Sequence, residues 1–531
     1  MYKECANLEK VQLTILETSD VHGNIYPIQY GTNEPDDVGL GKIATLIKQE
    51  RNENEHTILV ENGDLIQGTP LTYHFARQQS DQANPMTILT NALHYDAGVF
   101  GNHEFNYGQT LLNQAVEESA YPWLSANILN ENQEPFFGKP YIIKEIVPEL
   151  RVAVLGLTTP YIPNWEQPEH IKGMIFEDAV VSAQKWVPYL KNEENADIVI
   201  VAYHGGFERD LDSGEPTETL TGENQGYQLC MEVDGIDVLL TGHQHRQIFG
   251  KSVNGVIVVQ PGNNGIALGK VTLELEKRST NWVCTKKRSE LLSTSGVPAD
   301  EDMLQKTLDY EKATQTWLDQ PIGKINGDML VHDPMEIRTA DNPLIEFINR
   351  VQMDAAGVDI SNTALFDNKA KGFPKNVTMR DVVSNYIYPN TLKVIRISGK
   401  DMKAALERSA AYFQADEDGG VKVNPAFSTP KPQHYNYDMW EGIDYLIDIT
   451  QPEGKRVVKL QYHDEPVEDE EQYDVVMNNY RSGGGGEYPM YKGKPVIKDI
   501  PVDVSELIAN YILKHQTIEP ALNHNWKVIR G

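Results

Sequence analysis

The sequence predicts two folded domains, an α/β domain followed by an α+β domain. The chain has 531 residues, enough for two or three domains of ~100–200 residues each. In its first half, short β-branched runs alternate with helical stretches, which is typical of a layered α/β domain. Near residues 285–320 this pattern ends, and the helices and strands that follow are mixed without regular alternation.

Seven short runs in the first half have the composition of buried strands. They are residues 11–16, 57–61, 97–100, 151–157, 197–203, 237–240 and 256–260. Helical patterns separate several of these runs, such as GKIATLIKQERNE after the first and TLLNQAVEES after the third. We therefore expect the strands to form sheet and the helices to cover it.

A polar stretch separates the two halves. Residues 300–319 carry only a thin apolar stripe, a pattern that suits a helix connecting two domains. We therefore divide the chain into a first domain at 1–290, a linker helix at 291–320 and a second domain at 321–531.

Composition excludes several classes of protein. The 47 basic and 77 acidic side chains give a formal charge of −30, which argues against binding to a nucleic-acid duplex. No run of eighteen apolar residues predicts a membrane span. Three cysteines (Cys5, Cys230 and Cys284) are too few for a disulfide framework. The segment MYKECANLEK has no apolar leader, so we expect a cytoplasmic protein, or a secreted or cell-wall one if a leader was removed.

Side chains of the types that bind metals follow five of the predicted strands. In chain order they are Asp20 and His22, Asp64, Asn102 with His103, His204, and His243 with His245. The carboxyl ends of strands in an α/β sheet meet at one crevice, so we expect these residues to converge. Carboxylates and imidazoles without thiolates suit Mn, Zn, Co or Fe. Histidines outside these blocks, among them His170, are interpreted as structural or surface residues.

The spacing within the blocks predicts how two divalent ions would share them. Asp20 and His22 would bind one ion together, and His243 and His245 would do the same, because alternate residues of an extended segment share a face. Asp64 lies at a turn where its carboxylate could bridge both ions. Such a pair would polarise a phosphoryl oxygen and hold a bridging hydroxide that attacks phosphorus. Hydrolysis of a phosphate ester is the reaction this arrangement favours.

The blocks DVHG, NGDLIQG, GNHEFNYG, HGG and TGHQH, in that order, resemble those of calcineurin-like metallophosphoesterases, more narrowly the two-domain 5′-nucleotidase family. The segments NGDLIQGTPL, GNHEFNYG, IYPNTL and NNYRSGGGG are similar to its bacterial 2′,3′-cyclic-nucleotide 2′-phosphodiesterase/3′-nucleotidase branch. The resemblance implies a four-layered α/β/β/α catalytic domain and an α+β nucleotide-binding domain. It implies a catalytic role for His103 and metal ligands at Asp20, His22, Asp64, Asn102, His204, His243 and His245.

The resemblance also implies that the second domain binds the nucleoside of a small-molecule nucleotide. Tyr388 and Tyr480 would stack on either side of the base, although Tyr386 and Tyr435 could stack or pack equally well. The run after Tyr480 would offer backbone donors and close approach to the substrate. It consists of Arg481, Ser482, Gly483, Gly484, Gly485 and Gly486.

Two residues distinguish branches of the family. Many 5′-nucleotidases carry an Asp three residues after the catalytic His, where this chain has Asn106. An amide can orient an imidazole but cannot stabilise an imidazolium by charge. His245 stands where the UDP-sugar hydrolase branch tends to have Gln. Both residues favour the cyclic-nucleotide branch.

Three rival functions remain open at this point. A 5′-nucleotidase or UDP-sugar hydrolase would use the same metals on a different substrate. A non-catalytic nucleotide-binding or surface-interaction protein would have lost metal ligands, whereas all of the expected ones are present here. A phospholipid or phosphoprotein phosphatase would not need stacking aromatics in a second domain. The oligomeric state is not predicted.

Overall fold

The computed structural model describes residues 9–218, 220–279, 281–388, 390–415, 420–429, 431–500 and 502–530. The chain forms two compact units, residues 1–314 and 315–531. Cys5 and the rest of residues 1–8, which make up most of the segment from which we predicted the absence of a leader, lie outside the described residues. None of the helices within the described ranges has both the length and the apolar character needed to cross a membrane.

The first unit contains a six-stranded sheet that carries three of the ligand blocks. From edge to edge its strands are Asn281–Ser293, Ala267–Arg278, Lys10–Thr18, Thr57–Glu61, Ala97–Val99 and Trp123–Leu124. The last four run parallel, and the first two form an antiparallel hairpin beside them. This hairpin was not among the predicted strands.

A second six-stranded sheet in the same unit carries the other two blocks. Its strands, in order, are Gln247–Val253, Val256–Pro261, Val238–Thr241, Ile198–His204, Arg151–Thr158 and Tyr141–Glu145. The four central strands are parallel and the two edge strands are antiparallel. The central strands are buried almost throughout, as expected for strands covered on both faces.

Helices cover the outer faces of both sheets. The helices of the unit are Leu40–Glu53, Pro70–Gln78, Pro85–Ala92, Gly108–Glu118, Ala179–Asn192, Gly226–Glu232 and Glu301–Lys306. Ile15 of the first sheet and Val154 of the second share one apolar core between the sheets. Helices Ala179–Asn192 and Gly226–Glu232 pack on the other face of the second sheet, and Leu40–Glu53 contacts the first. The predicted four-layered α/β/β/α architecture is confirmed.

The predicted linker is not one helix. Two helices, Glu301–Lys306 and Leu308–Leu318, are separated by Thr307, and the two units divide within the second of them, after Thr314. The Tyr26 hydroxyl donates to the backbone oxygen of Leu304 at 2.8 Å, so the first of these helices packs as part of the first unit.

The second unit is an α+β fold around a large apolar core. Its five-stranded sheet has the order Met439–Glu441, Ile360–Thr363, Gln472–Asn478, Leu392–Ser398 and Val496–Ile500. A four-stranded sheet contains Glu465–Pro466, Val457–Tyr462, Asp444–Asp448 and Trp526–Ile529, and a three-stranded sheet contains Asn376–Thr378, Pro321–Ile325 and Thr517–Ile518. The helices are Pro334–Thr339, Pro343–Ala356, Met379–Asn385, Gly399–Ala410, Asn479–Ser482 and Val504–His515.

Candidate active site

The predicted ligands converge at the carboxyl ends of the two sheets of the first unit. Five of them have backbone φ between 50° and 67°, in the left-handed region. They are Asp20, His22, Asp64, His243 and His245. Residues other than glycine in this region each cost of order 1–3 kcal/mol, and such residues concentrate at functional sites. The segments are therefore not extended, as the spacing argument assumed, but turn sharply at each ligand.

A first cluster contains Asp20, His22 and His245. The Nε2 atoms of His22 and His245 lie 3.1 Å apart. Asp20 Oδ1 is 3.4 Å from His245 Nε2 and 4.0 Å from His22 Nε2. Three ligand atoms therefore surround one position.

A second cluster contains Asp64, His204 and His243, joined by Asn102. His204 Nε2 lies 3.3 Å from Asp64 Oδ2 and 3.3 Å from Asn102 Oδ1. Asn102 Oδ1 is also 2.8 Å from His243 Nδ1. This cluster draws its members from both sheets.

Asp64 lies between the two clusters. Its Oδ2 atom is 3.3 Å from His204 Nε2 and 3.8 Å from His22 Nε2, the position expected for a bridging carboxylate. The prediction that His243 and His245 act on the same ion is wrong, because the structure places them in different clusters. Both have φ near 60°, so the alternation of an extended strand does not apply to them.

The protonation pattern of the histidines suits cation binding. The backbone oxygens of Gln67 and Asn62 lie 3.2 Å from His22 Nδ1 and 2.7 Å from His204 Nδ1, so both Nδ1 atoms donate. In the neutral ring each Nε2 lone pair is then directed at other lone pairs of the site, an arrangement that a proton or a metal cation relieves. Burial lowers the pKa of His204, but the charge of Asp64 raises it to about 10, so this position attracts positive charge. The residues present therefore fit a pair of divalent ions.

Three further carboxylates lie beneath the ligands, all fully buried: Glu17, Glu61 and Glu104. Burial raises the pKa of all three, and neighbouring carboxylates raise it further. Glu104 accepts from the backbone N–H groups of Asp64 at 2.7 Å and Leu65 at 2.6 Å, and so holds the turn that carries the bridging ligand. Sequence analysis missed Glu104, although it lies inside the GNHE block.

Two glycines allow the ligands to approach one another. A Cβ on Gly63, whose φ is 92°, would lie 2.4 Å from His204 Nδ1. A Cβ on Gly101 would lie 2.3 Å from Asp64 Oδ1. No other residue fits at either position without displacing a ligand.

His103 lies at the rim of the first cluster. Its ring centroid is 5.2 Å from that of His22, and its backbone N–H donates to Asp64 Oδ1 at 2.8 Å. Its Nδ1 is 2.7 Å from Asn106 Oδ1, so Asn106 orients the ring, as the sequence predicts. The Asn106 amide in turn donates to the carboxylate of Glu166, a residue that sequence analysis did not single out.

Two other residues that sequence analysis missed contact His243. Trp165 stacks on its ring with centroids 5.4 Å apart and planes inclined by 30°. Glu223 Oε1 lies 3.0 Å from His243 Nε2. Neither belongs to a recognisable block, so no local signal could have identified them.

In the second unit, Tyr388 and Tyr480 are both partly buried. Tyr388 packs edge-on against Phe366 and Tyr435, with centroids 5.4 Å and 6.1 Å away. Tyr480 packs against Gly485, where a Cβ would lie 2.6 Å from the ring. Tyr386, the alternative stacking residue, is buried in the core.

The run from Arg481 to Gly486 is tightly packed. The Arg481 side chain is 1% exposed and forms a 2.8 Å ion pair with Asp438. Its guanidinium also donates to the backbone oxygens of Tyr435 and Gly485, so it holds the loop from within. Ser482 donates to the backbone oxygen of Asn479, and Gly483 ends the short helix. Gly484 and Gly486 have φ of 92° and 73°.

Comparison with known proteins finds a family match in each of the two units. Residues 13–247 match the calcineurin-like phosphoesterase family, and residues 321–493 match the 5′-nucleotidase C-terminal domain. The 2′,3′-cyclic-nucleotide 2′-phosphodiesterase/3′-nucleotidase of Salmonella typhimurium is 29% identical over 98% of this chain and 89% of its own. The trifunctional nucleotide phosphoesterase protein YfkN of Bacillus subtilis is 28% identical over 98% of this chain. This chain spans only 39% of that relative's length.

One solved structure is similar to this chain over nearly its whole length. A provisionally assigned 5′-nucleotidase from Staphylococcus aureus is 37% identical, with a TM-score of 0.88. The match covers 97% of this chain and 99% of that one. The chain therefore belongs to the two-domain 5′-nucleotidase family of calcineurin-like metallophosphoesterases, which are metal-dependent phosphoester hydrolases.

Proposed function

We propose that this chain hydrolyses nucleotide phosphoesters, opening 2′,3′-cyclic nucleotides and then removing the 3′-phosphate. The observation that carries this proposal is the pair of ligand clusters that meet at Asp64 Oδ2. The substrate class is supported by the relatives named for these activities, which align with 98% of this chain.

Two divalent ions would be held by residues of the first unit alone. Asp20, His22 and His245 would hold one and His204, His243 and Asn102 the other, with Asp64 between them. When bound, such a pair neutralises charge on the phosphate and activates water for attack on phosphorus. The mixed nitrogen and oxygen donors suit Mn, Zn, Co or Fe.

His103 would act on the leaving group. Its Nδ1 is held by Asn106, so the Nε2 atom is the one available to the substrate. Nε2–H would donate its proton to the ester oxygen as the bond to phosphorus breaks.

The second unit would recognise the nucleoside. Stacking on a tyrosine contributes ~1–3 kcal/mol per base and accepts every base, because each has a π face. Tyr388 and Tyr480 are partly exposed aromatic residues that could provide this contact.

The test is phosphate release by metal-reconstituted protein from four substrates: a 2′,3′-cyclic nucleotide with an auxiliary phosphatase, a 3′-nucleotide, a 5′-nucleotide and a UDP-sugar. We expect preference for the first two. Preference for a 5′-nucleotide or UDP-sugar would overturn the substrate assignment while leaving the metal chemistry intact. Release from none of the four would overturn the proposal.

Variants test the role of the second unit. Tyr388→Leu and Tyr480→Leu should each raise KM by about 5- to 150-fold, which corresponds to the loss of ~1–3 kcal/mol of stacking. Tyr462→Leu is the matched control, because Tyr462 is also partly buried but packs against Tyr473. Equal KM values for all three variants would exclude base stacking at the two predicted positions.

A further inference from the structure

We propose that Glu166 is a positioning residue that sets the orientation of His103 through Asn106. The inference rests on the proposed function, because it assumes that His103 acts on the leaving group. It concerns a residue sixty positions away in sequence from the amide that it contacts.

The three side chains form a continuous chain of hydrogen bonds. His103 Nδ1 is 2.7 Å from Asn106 Oδ1, and Asn106 Nδ2 donates to Glu166 Oε2 at 2.7 Å. The Glu166 side chain is 5% exposed. The contact is therefore shielded from bulk water.

The carboxylate is fixed at its other oxygen. Glu166 Oε1 accepts from the backbone N–H of Gln167 at 2.7 Å and lies 2.9 Å from His170 Nδ1. Because an ionised carboxylate only accepts hydrogen bonds, His170 donates through Nδ1 here. His170 is therefore structural, as the sequence interpretation has it, and it anchors Glu166.

Glu166 decides which way the Asn106 amide faces. An amide has one accepting and one donating end, and only the donating end can face a carboxylate. The oxygen of Asn106 must then face His103. The reverse orientation would place two oxygens 2.7 Å apart with no hydrogen between them.

The orientation of Asn106 decides the tautomer of His103. An oxygen facing Nδ1 requires Nδ1 to carry the hydrogen, in both the protonated ring and the neutral ring left after donation from Nε2. Glu166 thus acts through Asn106 as the Asp three residues after the catalytic His would act directly in many 5′-nucleotidases. The negative charge that Asn106 lacks lies one residue further along the chain of hydrogen bonds.

Glu166→Gln tests this inference with almost no change of shape. The oxygen of the substituted side chain would stay with the Gln167 N–H and His170, so its NH2 group would face Asn106 and reverse the Asn106 amide. We expect kcat to fall by about 10- to 100-fold, as for other residues that support a functional side chain, with KM and bound metal unchanged. Glu169→Gln is the matched control, because Glu169 is 80% exposed on the same segment.

A double variant separates positioning from folding. When Asn106→Asp is combined with Glu166→Gln, the amide introduced by the second substitution donates to the carboxylate introduced by the first. That carboxylate in turn accepts from His103 Nδ1–H. We expect this variant to recover most of the kcat lost in Glu166→Gln. Asn106→Asp alone would place two carboxylates in contact, so we expect its kcat to lie below that of the wild type. A double variant no more active than either single variant would overturn the inference.

A second readout needs no metal and no substrate. ¹⁵N histidine spectra of the metal-free protein, with His103→Gln to assign the signal, should show the Nδ1–H form in the wild type and its loss in Glu166→Gln. An unchanged tautomer in Glu166→Gln would overturn the inference. If no nucleotide is hydrolysed but the tautomer changes, the proposed function fails and the positioning role stands.

Discussion

The two units each bury a group of ionisable side chains, and they differ in what balances the charge. In the first unit, five buried carboxylates lie around the histidines of the two ligand clusters. They are Glu17, Asp20, Glu61, Asp64 and Glu104. In the second unit, buried Asp438 meets buried Arg481 at 2.8 Å, and Tyr488 stacks on that guanidinium at 4.0 Å.

The difference indicates that the first group is arranged to bind a ligand, whereas the second group stabilises the fold. The second group carries its own countercharge, so it needs no ligand. The first group has only the histidines of the site to balance its carboxylates, and its ligands sit in costly left-handed conformations, so bound cations would complete it. Loss of metal and substitutions at His103, Arg481 and Glu441 each test this contrast.

Removal of metal should have the largest effect. Chelation should abolish phosphate release, and re-addition of Mn²⁺ or Zn²⁺ should restore it. At a metal concentration 100-fold above Kd, binding should raise the free energy of unfolding by ~2.7 kcal/mol. Phosphate assays and thermal unfolding with and without metal measure both effects. Full turnover by metal-free protein would contradict the proposed charge balance.

His103→Gln should lower kcat by about 10²- to 10⁴-fold, the usual contribution of a positioned proton donor. His103 lies outside both ligand clusters, so the bound metal should not change. Turnover kinetics and metal analysis of the same preparation test the two statements together. Loss of metal in this variant would instead make His103 a ligand.

Arg481→Met should lower the free energy of unfolding by about 3–5 kcal/mol, because it leaves Asp438 buried without a countercharge. Denaturant unfolding measures the change. The control is Arg481→Met with Asp438→Leu, which removes both charges and should recover part of the loss. If the single variant is as stable as the wild type, the pair does not hold this loop.

Glu441 tests whether every buried carboxylate considered in the second unit has a countercharge. The side chain is 2% exposed, and burial, together with Asp341 and Glu346, raises the pKa of Glu441 to about 8. The folded state then holds a proton that the unfolded state releases above about 4.5, so stability should fall as the pH rises from about 5 to 8. One such proton corresponds to ~1.4 kcal/mol per pH unit at most.

Glu441→Gln keeps the acceptor for Asn523 and removes the titrating proton. We therefore expect its stability to fall less steeply than that of the wild type between pH 5 and 8, as measured by denaturant unfolding at each pH. Parallel curves for the two proteins would show that Glu441 is charged and balanced after all.

Much of the site was predictable because the ligands follow strands. Asp64 comes three residues after a run that forms a strand with the predicted bounds, Thr57–Glu61. Strand direction alone then places it at the crevice. The same reasoning did not find Glu104, whose role is to bind backbone N–H groups of a turn that only the folded chain forms.

The family, the layered architecture and the side chains that gather at the crevice could all be predicted from the sequence, because they follow from local periodicity and from ordered blocks. The division of the ligands between two clusters, in contrast, depends on the tertiary structure. His243 and His245 are two residues apart yet belong to different clusters, since each has a left-handed backbone. The tertiary structure also decided that Asn106 meets Glu166, because a hydrogen bond between distant residues depends on the path of the folded chain, which local periodicity does not encode.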